Sequence, residues 1–139
     1  MSRISLTRNR VSTVVTLPDP PTHLATDGDD LWVTDGTGRV NAVGPGGRIR
    51  TVRVGGQATG VAAADGSVWV ASTATGTLSR INPRRETVTA TIHVGKRPYA
   101  VAATSEALWV TVLGQPVMVH PPARRPATGT PGWLLRLCG

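Results

Sequence analysis

Cysteine is nearly missing from this chain: Cys138 stands alone among 139 residues, so no disulfide can form within it and no Cys/His spacing suits a metal. The same scarcity leaves the redox compartment undetermined. Glutamate is almost as rare, with only Glu86 and Glu106, and neither a paired-carboxylate arrangement nor a Ser/His/Asp order stands out. No apolar run approaches the roughly 20 residues that a spanning helix needs, and the start, Met1-Ser-Arg-Ile-Ser5, lacks the apolar core of a signal peptide. These absences predict a chain with no membrane span, cytoplasmic as written and extracellular if N-terminal residues have been lost. Long heptads are absent too, which removes coiled coils.

What is present suits an all-β protein rich in turns: 40% hydrophobic residues with 16 Gly and 11 Pro. The length fits one domain. A formal charge of +7 and a pI near 11.4 would ordinarily raise a polyanion as partner. Distribution matters more than the total. All but one of the 15 basic residues are Arg, Lys96 being the exception, and they are spread from Arg3 to Arg136 without a long run. A specific nucleic-acid binder concentrates its cations on one face, so nucleic acid is not the expected partner.

The strongest signal is an internal repeat, the mark of a fold built by stacking like units. The segments 24–33 (LATDGDDLWV), 61–70 (VAAADGSVWV) and 101–110 (VAATSEALWV) share one frame without gaps, and Trp32, Trp69 and Trp109 lie 37 and 40 residues apart. The match continues, with Val40-Asn-Ala-Val43 corresponding to Leu78-Ser-Arg-Ile81 and Arg50-Thr-Val-Arg-Val-Gly55 to Ala90-Thr-Ile-His-Val-Gly95. Each unit therefore holds four short β segments, A to D, around Leu24, Trp32, Val40 and Val52, joined by hairpin turns. Four antiparallel strands per repeat make the blade of a β-propeller.

Ser2-Arg-Ile4 matches Ser79-Arg-Ile81, and Val11-Ser-Thr-Val-Val15 matches Val88-Thr-Ala-Thr-Ile92, both at an offset of 77. The fold class expected is all-β, a β-propeller fragment of four-stranded antiparallel blades that starts in mid-blade, on strand C. At the other end strands A and B are clear and Val117-Met-Val119 supplies a candidate C. That makes about three blades when propellers close with roughly four to eight, so missing blades or a homodimer would be needed to complete the ring. Residues 1–120 are read as propeller repeats. Residues 121–139 form a Pro- and Arg-rich tail without alternation, for which disorder is the simplest reading.

The succession of Val-Gly, Pro, a Val-Ala strand, Leu/Val-Trp-Val and Ser-Arg-Ile-Asn-Pro, best seen over 57–95 and 97–110, resembles the bacterial YVTN-type and streptogramin-lyase-like propellers. The resemblance covers roughly residues 2–120. It implies either a binding or sensor propeller or, within the same group, a metal-dependent lyase that linearises cyclic streptogramin antibiotics; some relatives are described as DNA-binding. The lyase-like repeat often places His directly after the Pro that opens strand A. Here those positions are Thr22, Thr59 and Tyr99, a departure that argues against lyase activity. His23, His93 and His120 occupy non-equivalent blade positions. No cofactor is expected, with Mg²⁺ entering only if the chain were lyase-like.

Other motifs have plain structural explanations. The Trp residues sit on strand B flanked by Leu or Val on both sides, as blade-to-blade packing requires. Asp27-Gly-Asp-Asp30 and Asp35 lack the alternating ligand spacing of a calcium loop and fall at turns. Gly36-Thr-Gly38 and Gly44-Pro-Gly-Gly47 lack the Lys-Ser/Thr and helix of a phosphate loop. Propeller geometry brings the D–A and B–C connections to one face around the channel. Candidate ligand-binding residues are therefore Lys96, Arg97 and Tyr99 from the first class, and Asp35, Ser72 and Thr73 from the second. Their donor-rich chemistry suits an acidic ligand or protein segment. The function expected is a non-enzymatic binding or sensor module within a larger propeller protein, with a small molecule or protein segment as partner and no catalytic or metal residues assigned; the alternatives are a streptogramin-lyase-like enzyme fragment and a DNA-binding propeller.

Overall fold

A computed structural model describes residues 1–113 and 117–119. The tail expected over 121–139, and His120, lie outside them.

Among the described residues thirteen strands fall into consecutive antiparallel sheets in the order the repeat predicts. β1 (Ser2–Ser5) and β2 (Arg10–Val14) form a hairpin. β3 (His23–Asp27), β4 (Asp30–Thr34), β5 (Arg39–Val43) and β6 (Ile49–Arg53) form the first complete blade. β7 (Ala58–Ala64), β8 (Ser67–Ser72), β9 (Thr77–Asn82) and β10 (Thr87–His93) form the second. β11 (Pro98–Ala103), β12 (Leu108–Val112) and β13 (Val117–Val119) form a three-stranded third. Each sheet pairs only sequence neighbours, so every connection is a hairpin or a short step to the next blade. Among the described residues the one helical piece is a 3₁₀ turn at Pro45–Gly47.

Turn chemistry sets the registers. Asp65 and Gly66 both adopt positive φ, 49° and 64°, the pair that a two-residue type I′ hairpin needs, and Ala64 lies opposite Ser67 as a result. The matching turn of the first blade puts Gly28 at φ 59° with Asp27 opposite Asp30.

Blades stack through their flat apolar faces. Trp32, Val40, Ala42 and Val52 of the first blade pack with Ala58, Val61, Val68, Val70 and Ile81 of the second. One register step on, Trp69, Ala71, Leu78 and Val94 pack with Leu108 and Val110 of the third. Trp32 is fully buried and Trp69 is 8% exposed, with the guanidinium of Arg80 5.5 Å from the Trp69 ring. Burying one such ring removes roughly 150–250 Å² from water, worth about 4–6 kcal/mol at ~25 cal/mol per Å². Trp109 departs from the expectation of a core ring: it is 50% exposed, because no described residue forms a blade beyond it.

The seam between the first two blades is also tied by charge. The Arg50 guanidinium donates to Asp30 of its own blade at 2.5 Å and to Glu86 in the β9–β10 turn of the next at 2.9 Å. The Asp30 hydrogen bond foremost, and then the Asp30 charge, the Glu86 hydrogen bond and the Glu86 charge, outweigh a lowering by desolvation and raise the Arg50 pKa above its ordinary value, and the cation persists at any working pH. Glu86→Ala is expected to lower the melting temperature at low ionic strength, with the difference from the parent chain shrinking as NaCl is raised through about 0.5 M; a salt-independent difference would show that the pair acts through packing.

Candidate functional site

The D–A and B–C connections do come together at one end of the blades. Each B–C turn is hydrogen-bonded to the D–A step beside it: Gly36 N–H to Ala58 O at 3.0 Å, Thr73 N–H to Gln57 O at 2.9 Å, and Leu113 N–H to Arg97 O at 3.2 Å. The six candidate residues therefore share one end of the molecule, but they divide into two kinds.

Asp35, Ser72 and Thr73 are committed to the scaffold. Asp35 is 8% exposed, and its carboxylate accepts from Thr37 N–H at 2.9 Å, Thr37 Oγ1 at 2.6 Å and Asn41 Nδ2 at 3.2 Å, which closes the B–C turn of its own blade. Ser72, at the same repeat position one blade on, is buried; its hydroxyl accepts from Gln57 N–H at 3.1 Å and donates to Gly55 O at 3.2 Å. Thr73 Oγ1 donates to Pro98 O at 2.7 Å and lies 2.9 Å from Thr59 Oγ1, so it links the second blade to the third. A second hydroxyl link, at a different repeat position, joins the first two blades, where Thr34 Oγ1 donates to Thr59 O and lies 3.1 Å from Thr22 Oγ1.

Lys96, Arg97 and Tyr99 face outward. Lys96 and Arg97 are exposed, and among the described residues neither takes part in an ion pair. Arg97 adopts φ 57° immediately before Pro98, a left-handed conformation that a side chain disfavours. The Tyr99 ring is 49% exposed and meets the imidazole of His23 edge-on, centroids 5.4 Å apart at 85°.

His23 belongs to the first blade and Tyr99 to the third, so the contact reaches past the second. Gly60 permits this proximity. A Cβ on Gly60 would stand 2.5 Å from Tyr99 O and 2.8 Å from Ala100 Cα, so β7 and β11 approach too closely for a side chain to fit between them. Both strands also carry a register shift at this point, between Ala58 and Val61 and between Pro98 and Val101, a bulge of the kind that re-aims side chains. His23 Nδ1 is buried without a hydrogen-bond partner. Repeat alignment places His23, Gly60 and Ala100 at one position. That unequal set, one ring and two small residues, was the available signal for His23 and Gly60, which reading by residue type alone passes over.

Among the described residues no three His, Cys, Asp or Glu side chains gather as a metal would require, and no helix is long and apolar enough to cross a membrane. No family model matches the sequence, and no curated protein does. Solved structures do match the fold. Virginiamycin B lyase from Staphylococcus aureus aligns with a TM-score of 0.70 over 88% of this chain and 48% of its own, at 17% identity.

The chain is a segment of a β-propeller. A functionally unknown protein from Desulfotomaculum acetoxidans matches with a TM-score of 0.68 over 84% of this segment and 46% of its own chain, at 10% identity. Kuenenia stuttgartiensis hydrazine synthase matches with a TM-score of 0.62 over 73% and 31%, at 19% identity. This propeller segment spans less than half the length of each of the three, and at these identities the likeness is one of fold.

Proposed function

We propose that the segment is a non-enzymatic binding module whose channel-end face takes an acidic segment of a partner protein. One observation carries the reading: at that face Lys96, Arg97 and half the Tyr99 ring point to solvent, while the acid and hydroxyls beside them, Asp35, Ser72 and Thr73, are used up in holding the loops. Two exposed cations beside an aromatic edge attract carboxylates and offer the aliphatic part of a peptide a flat surface.

Tyr99 is the sole tyrosine of the chain, so its ring resonances report the site without ambiguity. Titrating a polyglutamate peptide into the labelled chain at low salt is expected to shift the Tyr99 signals saturably, and the Lys96→Glu/Arg97→Glu double variant is expected to abolish the shift. Equal binding by the double variant, or no shift in the parent chain, would sink the reading. Turnover of a cyclic streptogramin by the chain in the presence of Mg²⁺ would replace it with the lyase-like one.

A further inference from the structure

Each blade contact inside the chain has a donor face and an acceptor face. The donor face presents the strand-B Trp with the small residues that register places on its side of the sheet, Ala25 and Thr34 in the first blade, Ala62 and Ala71 in the second. The acceptor face presents Val61, Val68 and Val70 in the second blade, Val101, Leu108 and Val110 in the third. This contact is made twice, with Trp32 and then with Trp69 as its central ring.

One donor face and one acceptor face are left over among the described residues, at opposite ends of the arc. On the third blade Ala102, Trp109 and Thr111 are all exposed, although their counterparts Ala62, Trp69 and Ala71 are buried. On the first blade Leu24, the counterpart of buried Val61, is 57% exposed, although Val33, the counterpart of Val70 beside it, is already buried, so the open part of this acceptor face is its Leu24 side. Together with Leu31, Val43 and Ile49, Leu24 lines a cleft of about 1230 Å³ that is also lined by Ser2 and Arg3 of β1 and by Val15 and Thr16, which follow β2. The β1–β2 hairpin corresponds to strands C and D of a blade, so the cleft is the vacant position of an A–B pair.

We propose that a second copy of this chain fills it, the Trp109 face of each copy seating on the Leu24 face of the other. Such a contact is heterologous, and two copies related by a two-fold axis along the channel satisfy both leftover faces at once and close the ring. The geometry required is the blade contact the chain already makes twice. Length agrees, since 88% of the chain matches 48% of the lyase from Staphylococcus aureus, and two copies supply about one such propeller. β1 and β13 are both third strands of a blade, so in the pair β1 takes the outer edge of the partner's β12 that β13 holds within one copy.

Sedimentation velocity on the 139-residue chain tests this. The parent chain is expected to sediment at twice 14.5 kDa. Trp109→Arg and Leu24→Asp are each expected to sediment as single chains, because either change spoils both contacts of the pair. Both positions are at least half exposed, so the variants keep the β-sheet circular dichroism of the parent. Mixed in equal amounts the two variants are expected to recover the doubled mass, because one contact then joins two unaltered faces. Trp109→Thr, which copies the polar character of exposed Thr111, gives the same result with a milder change. A parent chain of single mass overturns the proposal, whether residues 121–139 cover the faces or nothing does. So does a doubled mass that survives Trp109→Arg, or a mixture that stays single, which would mark a contact through some other surface.

Discussion

Trp69→Ala is expected to lower stability by roughly 3–5 kcal/mol in a urea melt, the loss typical of a large core aromatic, and Trp32→Ala by a similar amount. Trp109→Ala, measured at protein concentrations low enough to keep chains single, is expected to lose far less. The three rings occupy one repeat position and differ in what lies beyond them: Trp32 and Trp69 each meet a following blade, and Trp109 meets solvent. The indole N–H of Trp32 is buried without a partner, a desolvation cost already present in the folded state, so Trp32→Phe is expected to lose much less than Trp32→Ala. A Trp69→Ala loss under about 1 kcal/mol, the range of ordinary surface changes, would show that Trp69 does not hold the second blade to the third.

Gly60→Ala is expected to cost roughly 1–3 kcal/mol or more by overpacking. The added methyl meets backbone on the facing strand, Tyr99 O at 2.5 Å and Val101 N at 2.8 Å, and backbone cannot turn aside as a flexible side chain can. β7 and β11 must separate, and the effect reaches the candidate site, because the same separation moves Tyr99 relative to His23. The Tyr99 ring signals should therefore shift in the variant even where the fold survives. An unchanged melt together with unchanged Tyr99 signals would show that the two inner strands are not in contact at Gly60.

These expectations rest on different layers of information. Strand number, order and pairing were legible in the residues, because each blade is made by sequence neighbours joined through short turns, and local signals govern such contacts. Asp65-Gly66 specifies a hairpin by its positive φ angles, and the spacing of the three Trp residues specifies how the hairpins repeat. The grouping of the D–A and B–C loops followed from the same topology. Tertiary structure alone separated Asp35, Ser72 and Thr73 from Lys96, Arg97 and Tyr99, because whether a polar side chain is free depends on partners up to 25 residues away, as with Thr73 and the carbonyl of Pro98. It also brought His23 of the first blade to Tyr99 of the third, 76 positions along the chain, through the close approach of two backbones at Gly60. The unequal burial of Trp32, Trp69 and Trp109 belongs to the same layer: a repeat makes equivalent residues alike in the sequence, and only the presence or absence of a neighbouring blade makes them differ in the fold.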